Sequence, residues 1–267
     1  MIPFSENGSP SNAPPELKTK QEVTRRTKAS SMKTRGIALH SIRYSESGNI
    51  VAVYTEEFGR RSYMVHGGSR KSSKKMPLFQ PLTLLMLEVD HKPNREIQRI
   101  REANVLTPLA EIHTNMPKTT IALFCAEILY RTIREEESNP TLFSFLHHSI
   151  QMLDLLQKGT ENFHLAFMMQ LSKYLGFFPA GNFSPLKNGF NFHTGSFEPV
   201  QPGQTLDAVS SELINRFLSV SYTDLHNIEL SGTQRSNLLE KMVQFFQFHI
   251  EGLGAIKSLK ILQEVFA

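Results

Sequence analysis

Side chains that could carry out catalysis are scattered through the sequence and form no recognisable motif. The chain has no phosphate-binding glycine loop, no dinucleotide-binding glycine motif and no His-Glu-x-x-His metal motif. Its one cysteine, Cys125, falls on the apolar face of a predicted helix, where a buried structural thiol is far commoner than a nucleophile. These observations favour a protein that binds other molecules, with no enzymatic activity, no cofactor and no metal.

The strongest grouping of chemically similar residues is basic. Six cations and no acid lie between Phe58 and Met76, and they are Arg60, Arg61, Arg70, Lys71, Lys74 and Lys75. Tyr63 stands among them as an aromatic residue. Cations bind phosphates, and aromatic rings offer faces on which unpaired bases stack. The segment therefore predicts a nucleic-acid surface, to which Arg35 and Arg43 add secondary contacts.

The charge distribution along the chain agrees with this interpretation. Residues 1–75 contain 14 basic and 6 acidic residues, whereas residues 76–267 contain 15 basic and 19 acidic ones. Such asymmetry indicates that one part of the chain meets a polyanion. Six phosphate contacts on a single strand would make log affinity fall with log salt at a slope of about −4.

The elements that would position these cations are short strands. Strand-like stretches cover 36–43, 50–55, 61–66, 81–89 and 95–101, separated by glycine-containing turns, which predicts a small closed barrel. From about Lys118 the apolar spacing becomes helical and remains so to the end. We predict an α+β protein, with a disordered extension at 1–31, a five-stranded β-barrel at 32–112 and an all-helical domain at 113–267. An irregular lobe interrupts the helical domain at about 177–204.

Composition excludes several classes of protein. The chain has 267 residues, 40% of them hydrophobic, which is enough for a sizeable core. No apolar run is long enough for a membrane helix, and no apolar segment near the N-terminus resembles a secretory signal. One cysteine excludes an intramolecular disulfide framework, so we expect a cytoplasmic protein. Two other functions remain open on these grounds: an RNA-binding factor that carries such a barrel, and an adaptor that binds only proteins.

Several segments resemble the RecO family of bacterial DNA repair proteins. In the N-terminal half these are Ala38–Glu46, Val53–Arg60, Gly67–Ser73 and Leu78–Leu82. In the C-terminal half they are Ala126–Tyr130, Asn139–Phe143, Phe167–Pro179 and Gly254–Leu259. The resemblance covers roughly residues 34–266 and lies in the order and spacing of these segments.

The resemblance implies an OB-fold joined to a helical domain, and a recombination mediator as the function. Such a protein binds single- and double-stranded DNA, anneals complementary strands and is associated with the nucleoid. With RecR, and in some bacteria RecF, it acts on DNA coated by single-stranded DNA-binding protein (SSB) and helps to load RecA. The helical domain would receive the acidic tail of SSB, for which the candidate cations are Arg131, Arg134, Lys257 and Lys260.

One departure from the family pattern concerns zinc. Many members carry four cysteines after the Leu-Gly-Phe sequence, whereas residues 180–199 of this chain contain none. We therefore predict no zinc, and a lobe held together by Phe183, Phe190, Phe192 and Phe197.

Overall fold

The computed structural model describes residues 31–45, 48–66 and 73–266. The predicted extension at 1–31 therefore falls outside the described residues except for Ser31. In the described part of the chain, five strands form a closed barrel and helices follow it, which confirms the predicted α+β architecture.

The barrel strands are connected in the order of a five-stranded Greek-key barrel. They are β1 (Met32–Ser45), β2 (Gly48–Thr55), β3 (Gly59–His66), β4 (Leu84–Asp90) and β5 (Ile97–Val105). Around the barrel the order is β1-β2-β3-β5-β4, and β1 pairs with β4 to close it. All pairs are antiparallel except β3 and β5, where Ser62 lies opposite Ile97 and Met64 opposite Arg99.

Alternation along the strands divides inward from outward side chains. Val51, Val53, Tyr63 and Val65 point inward and pack with Leu87 in the barrel core. Gly36 also faces this core, and a Cβ there would approach Val53 Cγ1 to 2.8 Å. The absence of a side chain at this position lets the long strand β1 pair with both neighbours.

The helical domain contains six helices among the described residues. They are α1 (Met116–Thr132), α2 (Pro140–Leu155), α3 (Phe163–Tyr174), α4 (Ala208–Ser219), α5 (Gly232–His249) and α6 (Ser258–Val265). Asn115, Asn139, Asp207 and Ser231 each cap the helix that follows by accepting a backbone N–H bond. None of these helices is both long and apolar enough to cross a bilayer.

The lobe between α3 and α4 contains a short hairpin, β6 (Gly189–Asn191) paired with β7 (Ser196–Glu198). Phe190 is fully buried, and its ring lies 5.2 Å from that of Phe197 and 5.3 Å from that of Phe245 on α5. Aromatic packing of this kind contributes burial and ring–ring attraction.

Part of the outer surface of the barrel packs against the helices. Ile37, Leu39, Tyr54 and Leu84 belong to the same apolar cluster as the helical core. Behind this contact, the Asp154 carboxylate on α2 accepts the backbone N–H groups of residues 110, 111 and 112 in the linker. The outer surface of the barrel and the helices therefore share one apolar cluster, which is distinct from the core inside the barrel.

Candidate nucleic-acid interface

Arg35 lies on β1 where the barrel meets the helices. Its guanidinium donates to both carboxylate oxygens of Glu56, at 2.7 and 2.5 Å, and lies 5.2 Å from the centre of the Phe143 ring. The hydrogen bond from Arg35 lowers the pKa of the Glu56 carboxyl below its ordinary value. A bidentate pair stacked on an aromatic ring holds this cation in place.

Arg60 and Arg61 are also engaged with the helical domain. Arg60 donates to the carbonyl of Tyr130 at 2.9 Å and lies 5.5 Å from the centre of that ring. Arg61 forms an ion pair with Glu136 and donates to the Glu136 carbonyl at 2.7 Å. Its side chain is only 12% exposed. These contacts fasten the barrel to the segment that follows α1.

The three arginines thus differ from the sequence prediction in what they contact. Their charges are satisfied by carboxylate, carbonyl and aromatic groups inside the molecule, and a phosphate would have to displace those partners. We therefore assign Arg35, Arg60 and Arg61 to the junction between barrel and helices and remove them from the candidate interface.

Tyr63 differs from the sequence prediction as well. Its ring is fully buried in the barrel core, and burial raises the pKa of its hydroxyl. A ring enclosed by Val51, Val65 and their neighbours offers no free face, so Tyr63 does not serve as a stacking platform in this conformation.

The remaining cations of the basic segment are only partly described. Arg70 and Lys71 lie outside the described residues. Lys74 and Lys75 belong to a 3-10 turn at Ser73–Phe79, but their side chains lie outside the description. The turn is anchored beside β2, because the Asn49 amide contacts Met76 Sδ at 3.2 Å. The segment thus leaves β3 at His66, opposite Gly48, and returns beside Asn49 at the same end of the barrel.

That end of the barrel presents an exposed row across four strands. Ile42 on β1 pairs with Ile50 on β2, Ile50 with Met64 on β3, and Met64 with Arg99 on β5. Ile42 is 46% exposed, Ile50 and Met64 are half-buried, and Arg99 is exposed. We call this set the barrel row. Apolar side chains on an open sheet face, ending in a cation, are suited to unpaired bases next to a phosphate chain.

Further exposed residues flank the barrel row. Tyr44 is 64% exposed and follows Arg43, which is exposed and pairs in register with Asn49. Arg43 has no ion pair among the residues that the structure describes. An exposed aromatic residue and an exposed cation are therefore neighbours in sequence near the end of β1.

A second cationic flank comes from the loop between β4 and β5. Lys92 and Arg95 are exposed there, and Gln98 holds the loop by bonding the backbone of both residues, at 2.9, 2.7 and 2.6 Å. Exposed acids are present too, since Glu96 and Glu102 lie on the same stretch.

Sequence reasoning missed Tyr44, Lys92, Arg95 and Arg99. Arg99 could have been found from strand alternation, because it follows the buried Gln98 and therefore points outward.

The candidate cations for an acidic peptide lie on the helical side. Glu127 accepts bonds from Arg131 and from the backbone N–H groups of Lys257 and Ser258, which joins α1 to the start of α6. Burial raises the pKa of Glu127, but these hydrogen bonds outweigh it and lower the pKa overall. Arg131 is thus paired, whereas the side chains of Lys257 and Lys260 are exposed.

Arg134 lies in a different setting. It donates to the carbonyls of Glu251 and Gly252 at 3.1 and 3.4 Å, and it lines a cleft together with Glu135 and Glu137. An acidic tail would be repelled by the carboxylates around this arginine.

Cys125 is fully buried in the helical core, and burial raises the pKa of its thiol. Within the described residues, no group of three or more His, Cys, Asp or Glu side chains is arranged to hold a metal ion. The lobe at 177–204 packs aromatic side chains in ring–ring contact.

Comparison with known proteins gives two family matches. The models described as "Recombination protein O N terminal" and "Recombination protein O C terminal" match residues 30–109 and 113–260. The chain is 37% identical over 240 residues to a DNA repair protein RecO of Phocaeicola vulgatus, covering 88% of this chain and 99% of the relative. It is 37% identical over 238 residues to that of Bacteroides fragilis, covering 88% and 98%. For that of Porphyromonas gingivalis the identity is 30% over 240 residues, covering 87% and 98%.

Proposed function

The chain belongs to the RecO family of bacterial DNA repair proteins, and from this premise we propose that it is a mediator of homologous recombination. It binds single- and double-stranded DNA and anneals complementary strands. Together with RecR, and with RecF where that protein is required, it acts on SSB-coated DNA and helps RecA to load. It does so in the cytoplasm, at the nucleoid, without catalysing a reaction.

The observation that supports this proposal most is the barrel row with its cationic edges. Arg43 and Arg99 lie at opposite sides of an exposed apolar stretch formed by Ile42, Ile50 and Met64. The row lies on the outer face of the strands that OB-folds use for oligonucleotides. It also adjoins the ends of the segment that holds Arg70, Lys71, Lys74 and Lys75, which remain proposed phosphate contacts.

Annealing follows from two physical effects at this surface. Two strands repel through their phosphates, and cations that contact both strands lower that repulsion. Bases stacked on Tyr44 and on the apolar stretch stay unpaired and exposed along their pairing edges until a complementary strand arrives. Phosphate contacts carry no sequence information, so the binding tolerates any sequence.

For the acidic tail of SSB, we propose contact with Lys257 and Lys260 at the start of α6. Both side chains are exposed, and Lys257 follows Ile256, which is buried in the helical core. Arg131 and Arg134 contribute less in this proposal, because Glu127 pairs with the first and acidic residues surround the second.

Strand annealing on SSB-coated oligonucleotides tests the proposed function. Reversing Arg70, Lys71, Lys74 and Lys75 together to Glu should abolish annealing while the protein remains folded. A variant with Lys173 and Lys241 reversed serves as control, because both are exposed on helices away from the barrel. Undiminished annealing by the fourfold variant would contradict the assignment.

The RNA-binding alternative has no specific observation in its favour once family membership is known. Competition between single-stranded DNA and RNA of equal length distinguishes the two polymers. We expect DNA to compete at least as well as RNA, whereas a strong preference for RNA would favour the alternative.

A further inference from the structure

A cleft separate from the barrel row opens where the barrel meets the helices. Its volume is about 390 Å³, and its wall includes Tyr54 from β2, Thr132 from the end of α1 and Tyr174 from the end of α3. The segment after α1 and the end of α5 complete it. This volume falls in the range of small-molecule pockets.

The charge at this cleft is negative and largely unpaired. Glu135, Glu137 and Glu251 all line it. None of their carboxylates forms an ion pair with a described residue, and that of Glu135 accepts only the Arg134 backbone N–H, at 3.1 Å. The Arg134 guanidinium also lines the cleft, but it is bonded to carbonyl groups and leaves the carboxylates without a cation partner.

The ends of the surrounding helices add to this potential. Helix α1 ends at Thr132 and α5 ends at His249, so two negative helix ends face the cleft. Helix α2 begins there as well, but the Asn139 side chain already occupies the N–H of Leu142 at 3.0 Å. The imidazole of His249 bonds the carbonyl of Phe192 at 2.9 Å.

Two hydroxyl groups in the wall lack partners within the described part of the chain, and that of Thr132 is fully buried. Thr132 is 6% exposed, and its buried hydroxyl has no hydrogen-bond partner among the described residues. Tyr54 is 1% exposed, and no described residue bonds its hydroxyl. Burial and the nearby charge of Glu135 raise the pKa of Tyr54 to about 12. Buried hydroxyl groups are normally hydrogen-bonded. The wall can therefore bond a polar ligand, because the described chain itself supplies no partner.

We propose that this cleft binds an organic cation, an alkylguanidinium or alkylammonium group, between the carboxylates of Glu135, Glu137 and Glu251, the hydroxyl of Tyr54 and the half-buried ring of Tyr174. The carboxylates supply charge, the Tyr174 ring supplies cation–π contact, and the Tyr54 hydroxyl accepts an N–H bond. The group comes either from a free polyamine or from an Arg or Lys side chain of a partner protein.

Titration calorimetry with two cationic probes tests the proposal. Spermidine represents a free polyamine, N-acetyl-arginine amide represents a side chain, and N-acetyl-aspartate amide is the anionic control. We expect at least one cationic probe to bind with an affinity that falls as salt rises, and the anionic probe not to bind. Binding of spermidine alone identifies a free polyamine as the ligand, and binding of the arginine probe identifies a side chain. If neither cation binds at millimolar concentration, the proposal is wrong.

Variants locate the binding in the cleft. Changing Glu135, Glu137 and Glu251 together to Gln should lower the affinity for the cationic probe by about tenfold or more, since each exposed charge contributes a fraction of the binding free energy. The matched control changes Glu102, Glu229 and Glu264, which are exposed and lie outside the cleft. Equal loss in both variants, or none in the first, would overturn the assignment. Binding of single-stranded DNA should be at least as strong in both variants, which separates this result from the proposed function.

Discussion

Tyr44 is the aromatic side chain most open to solvent at the barrel row, with 64% of its surface exposed. Because it packs little against the protein, Tyr44→Ala should leave the free energy of unfolding nearly unchanged. Loss of one stacking partner should nevertheless reduce the affinity for single-stranded DNA by about 1–3 kcal/mol. Phe248→Ala is the control, since that ring is 54% exposed but lies on α5. Fluorescence anisotropy with a labelled oligonucleotide measures the difference, and equal affinities for the two variants would argue against stacking at Tyr44.

Glu56 supplies a pH-dependent contribution at the junction of barrel and helices. Its pKa is lowered in the folded protein by the hydrogen bond from Arg35, so the unfolded chain binds more protons as the pH falls. The stabilisation is complete above the ordinary carboxyl pKa and is lost as the pH falls through the folded value. Because Arg35 is 39% exposed, we expect at most about 1 kcal/mol.

Urea unfolding of the wild type and of Glu56→Gln checks this expectation. The wild type should be the more stable at pH 7, and the difference should shrink as the pH falls from 5 to 3. A difference that stays constant over this range would mean that the Glu56 charge does not stabilise the fold.

At the scale of elements, the hairpin turn between β2 and β3 is fixed by the segment after α1. Gly59 has a positive φ of 62°, and a Cβ there would lie 2.4 Å from the carbonyl oxygen of Glu137. The Arg60 backbone N–H also donates to the Glu135 carbonyl at 3.0 Å. The backbones of the two halves therefore meet closely at this turn.

Gly59→Ala should consequently lower the free energy of unfolding by more than the strain of a positive φ alone would do. Gly203 gives the matched comparison, because its φ is 79° but a Cβ there meets nothing within 4 Å. We expect about 1–2 kcal/mol of destabilisation for Gly203→Ala and clearly more for Gly59→Ala, because backbone must move. Thermal unfolding measures both, and equal shifts in the melting temperature would contradict the close contact.

The lobe at 177–204 depends on aromatic packing around Phe190. Phe190→Ala should destabilise the protein by about 3–5 kcal/mol, because it removes a fully buried ring and leaves a cavity. Phe248→Ala removes a ring from a half-open site and should cost much less. Chemical denaturation tests the contrast. A small effect at Phe190 would mean that the lobe is held by other contacts.

The elements were predictable where local pattern decides them. Strand alternation and turn glycines predicted five strands, and apolar spacing from Ile121 predicted α1, which begins at Met116. Helical spacing was predicted to continue to the end of the chain, but the segment before α6 is not helical and α6 begins at Ser258. Gly252 and Gly254 both take a positive φ, which keeps the preceding segment out of the helix.

The candidate site was less predictable because partners are distant in sequence. Arg35 pairs with a residue 21 positions away, and Arg61 pairs with one 75 positions away. A count of nearby charges cannot detect such partners, although the acidic run at 135–137 was a visible source of them. The burial of Tyr63 could have been predicted from the sequence, since Tyr63 lies two residues before Val65 and therefore on the same face of the strand.

The molecule as a whole contains two kinds of cation. The cations at the junction fasten the barrel to the helices. The cations at the barrel row have no such partners among the described residues and are available to bind a polyanion. Arg43 and Arg99 are described residues of the second kind, and each contributes to the measured salt dependence of binding if it contacts a phosphate.

The salt dependence of binding to single-stranded DNA shows whether cations at this end of the barrel contact phosphates. Changing Arg43 and Arg99 together to Gln should weaken binding at low salt and reduce the steepness of the log–log slope by about 1.4, or 0.7 for each lost phosphate contact. Lys173 and Lys241 changed to Gln should leave the slope as it is in the wild type. If the Arg43 and Arg99 variant keeps the wild-type slope and affinity, the open end of the barrel does not bind the DNA backbone.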